Sequence, residues 1–146
     1  MNKNKMLLVI YILVFIIIII QISLYLKKGN QVIQINEMYK DIELLEDKIA
    51  LYYLDNEKLP IKKDSNIEFY NNSINPNDNK LYYEIDLEKL DNMQLSYGNG
   101  KFGEKDIYII NEQSHTIYYY KGIEYQKNII HTKKTEYEYV DLEKYQ

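Results

Sequence analysis

The chain has 146 residues and a formal net charge of −4, because 18 Lys are opposed by 22 acidic residues and Arg is absent. An acidic chain without Arg is a poor nucleic-acid binder, since neutralising phosphates requires a clustered basic face. The absence of Cys excludes disulfides, thiolate catalysis and sulfur-ligated metals within this chain.

An uncharged apolar run stands at the start of the chain. Residues 6–26 read MLLVIYILVFIIIIIQISLYL. At about 1.5 Å per residue, this run is about as long as the 30 Å hydrocarbon core of a bilayer. We therefore predict a short tail and transmembrane anchor over residues 1–28, with residues 6–26 in contact with lipid. One soluble domain over residues 29–146 is expected to follow.

A cleaved signal peptide is the alternative for the same run, because Lys3 and Lys5 would supply its basic region. The apolar core is longer than the roughly 7 to 15 residues of a secretory signal, and no small-residue cleavage site follows it. The first Ala in the chain is Ala50. The run is therefore expected to stay in the membrane.

The orientation of the anchor depends on two nearly balanced pairs of Lys. Lys3 and Lys5 precede the apolar run, and Lys27 and Lys28 follow it, so the positive-inside bias almost cancels. A short basic N-terminal tail favours the cytoplasm, and all acidic residues follow Lys28. We predict a single-pass protein of the cell membrane with an extracytoplasmic domain. The excess of Lys, Asn, Ile and Tyr is typical of A/T-rich codons and indicates a bacterial source.

A second, amphipathic helix is predicted over about residues 31–54. Leu44, Leu51 and Tyr53 are expected to widen its apolar face. The charged residues between the apolar positions, Asp41 among them, are expected to face solvent, and Gly29 with the following Asn could break or loosen the helix before it. The apolar face itself repeats every three or four residues, as one side of a helix does, at Ile35, Met38, Ile42, Leu45, Ile49 and Tyr52.

Turn and strand signals follow this helix. Asp55 and Asn56 favour a turn, Pro60 cannot continue a helix, and residues 62–80 are predicted to be an irregular, Asn-rich loop. Residues 81–85, 106–110 and 116–120 are rich in β-branched and aromatic side chains and are predicted strands. A short polar connection joins the last two strands, which predicts an antiparallel hairpin.

The remaining segments complete a small sheet. Residues 86–90 are predicted to form one helical turn, and a Gly-rich loop is expected from Gly98 to Gly103. Residues 135–140 alternate acidic with apolar side chains, as an exposed edge strand does. The predicted fold class is α+β: a transmembrane helix continues into an amphipathic helix, which packs on a small antiparallel β-sheet over about residues 81–142.

Three consecutive tyrosines lie in the last hairpin strand. Because successive strand residues point to opposite faces, Tyr118 and Tyr120 should share one face while Tyr119 joins Ile117 on the other. Packing on both faces of the sheet is the simpler interpretation. A tyrosine-lined surface for a protein partner is the alternative, since Tyr is enriched at interfaces.

The sequence assigns no catalytic, cofactor-binding or metal-binding residue. His115 falls in the hairpin turn, where a solvated side chain is expected, and nothing pairs it or His131 with further metal ligands. The loop at residues 75–79 has alternating oxygen ligands but lacks the Gly and Glu of a calcium loop. Glu136 and Glu138 are interpreted as sheet-edge charges, since catalytic carboxylates need a shielded cleft. We therefore expect no enzymatic activity, no cofactor and no small-molecule substrate.

Three phrases carry a likeness to a known family: IALYYLDNEKLP at residues 49–60, YYEIDLEKL at 82–90 and DIYIINEQSHTIYYYKG at 106–122. With the order of the elements, they make the chain resemble the type IV pilins and the type II secretion pseudopilins. In that family a long N-terminal helix often ends on a phrase like the first. The resemblance implies a pilin-like fold, a non-enzymatic role and protein partners in a pilus or secretion assembly.

The chain departs from that family at the apolar run. Family members carry a Gly immediately before the run, where a prepilin peptidase cuts, and usually a Glu five residues into the mature helix. Here no Gly precedes Gly29, and no acidic residue lies between Met1 and Asn30. The uncharged helix therefore predicts an accessory component more than a major subunit.

Two further hypotheses come from other functional classes. A membrane-tethered extracytoplasmic binding or sensor domain, unrelated to filaments, would keep an intact N-terminus and have a defined partner. A degenerate hydrolase is the third hypothesis, and the sequence offers no nucleophile–base pattern for it.

Overall fold

The structure is a computed structural model that describes residues 2–67 and 81–133. These residues form a long N-terminal helix and two small antiparallel sheets, so the predicted α+β layout is confirmed. The predicted edge strand at residues 135–140 lies outside the described residues. The elements are α1 (Lys3–Asn56), β1 (Ile61–Ile67), β2 (Tyr82–Ile85), a 3-10 helix (Leu87–Leu90), β3 (Tyr108–Asn111), β4 (Ile117–Tyr119), β5 (Ile123–Tyr125) and β6 (Asn128–Ile130).

Helix α1 is continuous over 54 residues and passes through Gly29 without a break. The Asn2 side chain caps its start by accepting a hydrogen bond from the backbone N–H of Asn4. At the other end Glu57 adopts a left-handed conformation, and Pro60 follows. The N-terminal part of α1 is long and apolar enough to cross a membrane, and the side chains of its apolar window are exposed throughout.

The larger sheet has the strand order β1-β2-β3-β4, with every neighbouring pair antiparallel. The predicted hairpin is confirmed, since Tyr108 pairs with Tyr119 and Ile110 with Ile117. The predicted helical turn is also confirmed by the 3-10 helix between β2 and β3, which Asp86 caps.

Strand β1 corrects the prediction that residues 62–80 form a loop, because residues 61–67 pair with β2. Its sequence, IKKDSNI, lacks the apolar alternation of a half-buried strand. The extended conformation of β1 therefore depends on its hydrogen bonding to β2. The register shifts between Ile61 and Asn66, and Ser65 fills the irregularity by accepting a hydrogen bond from the Glu84 N–H. Lys62 also forms an ion pair with Glu84 at 2.9 Å.

The short β5–β6 hairpin was not predicted, and it lies next to the outer edge of β4. The chain after β6 covers that edge: the N–H of Tyr119 donates to the His131 carbonyl, and the Thr132 hydroxyl donates to the Ile117 carbonyl. Gly122 makes the turn into β5 with a φ of +74°. A Cβ there would collide with Ile129 and His131, so a side chain at this position is excluded by space and by conformation.

Helix α1, the larger sheet, the β5–β6 hairpin and the 3-10 helix enclose the core. The predicted apolar stripe is buried at Ile35, Met38, Ile42, Leu45 and Ile49, and Tyr52 is partly buried beside it. From the sheet, Ile110, Ile117 and Tyr119 belong to the same cluster. The opposite face holds a second cluster with Ile109 and Tyr118. The alternation predicted for the three tyrosines is therefore confirmed, and they serve sheet packing on both faces.

The prediction that Leu44, Leu51 and Tyr53 widen the buried face is wrong, because all three are exposed. At about 100° per residue, Leu44 and Leu51 lie roughly 100° and 120° around the helix from Leu45. The sheet covers a narrower arc than the apolar residues alone suggest. Tyr53 instead packs against the His115 ring, with ring centroids 5.1 Å apart.

The adjacent residues Leu45 and Leu44 provide a matched test of the helix face, because Leu45 is 0% exposed and Leu44 is 44% exposed. We expect Leu45→Asp to lower the free energy of unfolding by more than about 3 kcal/mol, since it removes apolar burial and buries a carboxylate. Leu44→Asp should change that free energy by about 0.5 kcal/mol or less. Denaturant unfolding of the full chain in detergent, followed by tyrosine circular dichroism, measures both. Equal losses would contradict the assigned face.

Candidate functional site

Two of the residues weighed at the sequence level, His115 and His131, lie in the described part of the structure. Within residues 2–67 and 81–133, no three His, Asp or Glu side chains are grouped so that they could hold a metal ion. His115 is exposed in the β3–β4 turn, as predicted. His131 lies beside β4, and its ring Nδ1 is 2.9 Å from the Tyr119 carbonyl. The loop at residues 75–79 and the pair Glu136 and Glu138 lie outside the described residues.

The most constrained polar side chain is Asp41, which sequence reasoning placed on the solvated side of α1. It is only 2% exposed, so that placement is wrong. Its carboxylate accepts hydrogen bonds from the backbone N–H groups of Ser96 and Tyr97, both at 2.7 Å, and from the Tyr108 hydroxyl at 2.8 Å. The carboxylate therefore ties the helix both to the loop before β3 and to β3 itself.

A second buried carboxylate, Asp106, lies on the other side of the same aromatic residues. It accepts hydrogen bonds from the Tyr119 hydroxyl at 2.5 Å and from the Phe102 N–H at 2.8 Å. The Gly98 backbone lies beside Asp106 and the rings of Tyr108 and Tyr119, with a φ of +83°. A Cβ on Gly98 would be 2.9 Å from the Tyr108 ring, so only Gly leaves room for this arrangement.

Burial and the two carboxylates hold the tyrosine hydroxyls in their protonated form. Burial, followed by the charge of Asp41 and its hydrogen bond, raises the pKa of Tyr108 far above its ordinary value. Burial and the hydrogen bond to Asp106 raise the pKa of Tyr119 in the same direction. These hydroxyls are therefore donors at physiological pH, and their arrangement stabilises the buried carboxylates.

We call Asp41 and Asp106, with the groups that donate hydrogen bonds to them, the polar joint, because they hold α1, the loop before β3 and the sheet together. The cleft beside Tyr108 has a cavity volume of about 10 Å³, and neither Asp41 nor Asp106 lines it. Pockets for small ligands usually enclose about 300–1,000 Å³ and present polar groups to the ligand. Asp41 and Asp106 instead direct their oxygens at backbone N–H groups and tyrosine hydroxyls of the same chain.

The sequence carried only a weak signal for Asp41. It lies between Met38 and Leu45 on the border of the buried stripe, where a charged residue normally turns towards water. Its partners are 55 to 67 residues away in sequence, so no local pattern indicates them. The one indication in the sequence that Asp41 could be buried is its position at the border of the apolar stripe.

Two further surfaces of the described residues carry exposed apolar side chains. Ile33, Leu44 and Leu51 lie within about 20° of one line along α1, on the side facing away from the sheet. We call these three residues the outer stripe. The second surface is the loop of residues 97–105, where Phe102 is 47% exposed.

The chain was compared with protein-family models, with curated proteins and with solved structures, and none of the three comparisons found a match.

Removing the Asp41 carboxylate should be costly. We expect Asp41→Ala to lower the free energy of unfolding by about 3 kcal/mol or more, because three donors, two of them buried, lose their carboxylate acceptor. Asp47→Ala, at an exposed position of the same helix, should cost about 0.5 kcal/mol or less. Thermal unfolding of the full chain in detergent compares the two. A loss for Asp41→Ala no larger than the control's would show that the joint does not stabilise the fold.

The burial of His131 provides a pH test. Burial lowers the pKa of His131 below its ordinary value near 6.5. The unfolded chain therefore takes up this proton first, so His131 contributes stability above about pH 6.5 that is lost as pH falls towards its folded pKa. We expect His131→Gln to flatten the fall in unfolding midpoint between pH 7.5 and 5. A slope in His131→Gln equal to that of the unsubstituted chain would contradict the assignment.

Proposed function

We propose that this chain is a non-enzymatic, membrane-anchored protein of pilin-like or pseudopilin-like organisation, serving as an accessory component of a pilus or secretion assembly. The observation that carries the proposal is that the two parts of α1 lie in different environments. Its N-terminal part is apolar and exposed, while one face of residues 35–49 forms part of the core of the described domain. This is the arrangement that the resemblance implies.

The first supporting step concerns the anchor. Residues 6–26 are exposed along an uninterrupted helix, where water would be an unfavourable solvent for their apolar surface. A bilayer removes that surface from water without any further protein contact. We place this segment in the cell membrane and the folded domain on its extracytoplasmic side.

The second supporting step concerns the coupling of domain and anchor. No loop separates them, because the helix that carries residues 6–26 also carries Ile35, Asp41 and Ile49 into the core. A force or displacement applied to the anchor is therefore transmitted to the domain through helix backbone hydrogen bonds. Such a subunit can be positioned in an assembly by its helix alone.

The third supporting step concerns the outer stripe. Leu51 is 60% exposed and Leu44 is 44% exposed, and Phe15 and Leu26 of the apolar run fall on the same line of the helix. The stripe thus extends an apolar surface from the membrane segment along the outside of the domain. Exposed apolar residues aligned in this way suit contact with a neighbouring helix.

A membrane-tethered extracytoplasmic binding or sensor domain is the second candidate. It is favoured by one observation, the absence of both the Gly before the apolar run and the acidic residue inside it. A protein of this kind would remain in the membrane and would have no need of the outer stripe.

Mechanical shearing of cells that produce the protein distinguishes the two candidates. Quantitative mass spectrometry of the sheared fraction and of the membrane pellet should find the chain enriched with surface filaments, or, for a secretion assembly, co-purifying with its assembly proteins from membranes. Recovery only as an isolated membrane protein, in neither complex, would contradict the proposal and favour the tethered domain.

Variants of the outer stripe add a residue-level test. We expect Leu44→Lys combined with Leu51→Lys to reduce recovery in the assembly by at least about tenfold, with little change in the unfolding midpoint, since both side chains are exposed. Ile129→Lys is the control for each single substitution, because it places one Lys at an exposed apolar position of β6. Equal recovery of all three proteins would exclude the stripe as an assembly surface.

A further inference from the structure

The apolar run contains one side-chain amide. Gln21 stands five residues before Leu26, and its side chain is exposed on an uninterrupted helix. At about 1.5 Å per residue, Gln21 lies about 7.5 Å inside the end of the run, roughly halfway between that end and the centre. In a membrane-spanning segment this depth is hydrocarbon, where a polar group without a hydrogen-bond partner is strongly unfavourable.

The helix gives the Gln21 amide no simple way out of the hydrocarbon. Every Cα–Cβ bond of an α-helix is tilted towards the N-terminus, so this side chain leans towards the bilayer centre and away from the nearer surface at Leu26. Ser23 differs, because a Ser hydroxyl in a helix can donate to the carbonyl four residues earlier. The backbone groups around Gln21 already bond one another within α1. Gln21 therefore requires a partner outside its own helix.

Gln21 belongs to a helix face that points away from the sheet. At about 100° per residue, Gln21 lies about 120° around α1 from the buried Leu45, while Leu44 of the outer stripe lies about 100° away in the opposite direction. The neighbours of Gln21 on this face are exposed and repeat every three or four residues, as a seam between two helices does. We call it the Gln21 face, and it comprises Val14, Ile18, Gln21, Tyr25 and Val32.

The Gln21 face is open as far as the start of the domain. Val32 is 38% exposed, whereas Tyr39, two turns further on the same line, packs against the core cluster. Contact along this face is therefore confined to the apolar run and the turns directly after it. Lys28 borders the face beyond the run, where its flexible stem lets the ammonium group turn towards the headgroups.

A second copy of this chain matches Gln21 in depth and in chemistry. Copies inserted with the same orientation hold their helices parallel, so the two Gln21 side chains lie at the same level of the bilayer. A Gln amide carries both a carbonyl acceptor and an NH2 donor. Each carbonyl can therefore accept a hydrogen bond from the other amide, and a two-fold axis between the helices makes the two bonds equivalent. One reciprocal pair satisfies both copies.

We propose that the chain forms a parallel dimer in the membrane through the Gln21 face, held by reciprocal hydrogen bonds between the two Gln21 amides. The inference rests on the anchoring of residues 6–26 in the proposed function. It adds a second copy of the chain as a partner. Because the outer stripe residue Leu44 lies about 140° around the helix from Gln21, the outer stripe remains available to the assembly.

The absence of native Cys allows a test by disulfide cross-linking of the purified full chain in liposomes. Ile18→Cys places a thiol on the Gln21 face. Ile20→Cys places one at nearly the same depth but about 160° around the helix from position 18. A mild oxidant is added at a high lipid-to-protein ratio, so that chance collisions are rare and equal at the two positions. Non-reducing gels then measure the fraction of linked dimer.

We expect Ile18→Cys to cross-link at least about fivefold more than Ile20→Cys, because its thiol faces the same thiol of the second copy. Adding Gln21→Leu should reduce cross-linking of Ile18→Cys at least about fivefold, since Leu suits lipid but forms no hydrogen bond. Adding Gln21→Asn should retain most of it, because the amide is kept. Ser23→Ala is the matched control: it removes the other non-aromatic polar group of the run and should leave cross-linking unchanged.

The contradicting outcomes separate the dimer from the anchor. Equal cross-linking of Ile18→Cys and Ile20→Cys would overturn the dimer. Preferred cross-linking of Ile18→Cys that persists with Gln21→Leu, or that falls equally with Ser23→Ala, would overturn the amide pair as its cause. All of these results leave the proposed function standing if alkaline carbonate fails to extract the chain from membranes of the producing cells. Extraction by alkaline carbonate would overturn the anchor, and the proposed function with it.

Discussion

The burial of one face of α1 against the two sheets is the constraint on which the rest of the described structure depends. Helix α1 packs on β4, on β5 and on the 3-10 helix, and it is the one α-helix that covers them in the part of the chain that the structure describes. Asp41 reinforces this contact at its border. Its carboxylate neutralises no opposite charge, and it is stabilised by donors from the loop before β3 and from Tyr108.

Because the core buries only one part of α1, the side chains of this helix lie in two different environments. In residues 6–26 apolar side chains surround the whole circumference, whereas in residues 35–49 the buried side chains occupy one face only. A helix that is apolar all round suits lipid, and a helix with one apolar face suits a globular core. The apolar segment and the core segment are therefore parts of a single helix, and the assembly proposal follows from this continuity.

Sequence periodicity was sufficient to predict the parts of the fold that repeat locally. The stripe from Ile35 to Ile49 and the alternation of Tyr118 with Tyr119 follow from the helix and strand periods. Strand β1 could not be predicted, because its conformation depends on pairing with β2 and its sequence carries no alternation. The three-residue strands β5 and β6 are too short to show a period.

The polar joint and the exposed leucines show why the rest was not predictable. Asp41 is buried by partners more than fifty residues away, which no local pattern records. Leu44 and Leu51 are exposed because the sheet covers a limited arc of the helix, and the width of that arc is a property of the packed molecule. Long-range contacts thus determined both the polar joint and the outer surface, while local periodicity determined the core face.

Hydrogen–deuterium exchange of the full chain in lipid nanodiscs tests the continuity of α1 most directly. Continuity predicts strong protection of amides in residues 6–26 by lipid and in residues 35–49 by the core, with the latter exchanging as slowly as β3. The junction after Lys28 should remain helical and exchange at an intermediate rate. Rapid exchange across residues 35–49, at the rate of an unstructured chain, would contradict the account, because the helix would then end at the membrane and the sheet would lack its inner layer.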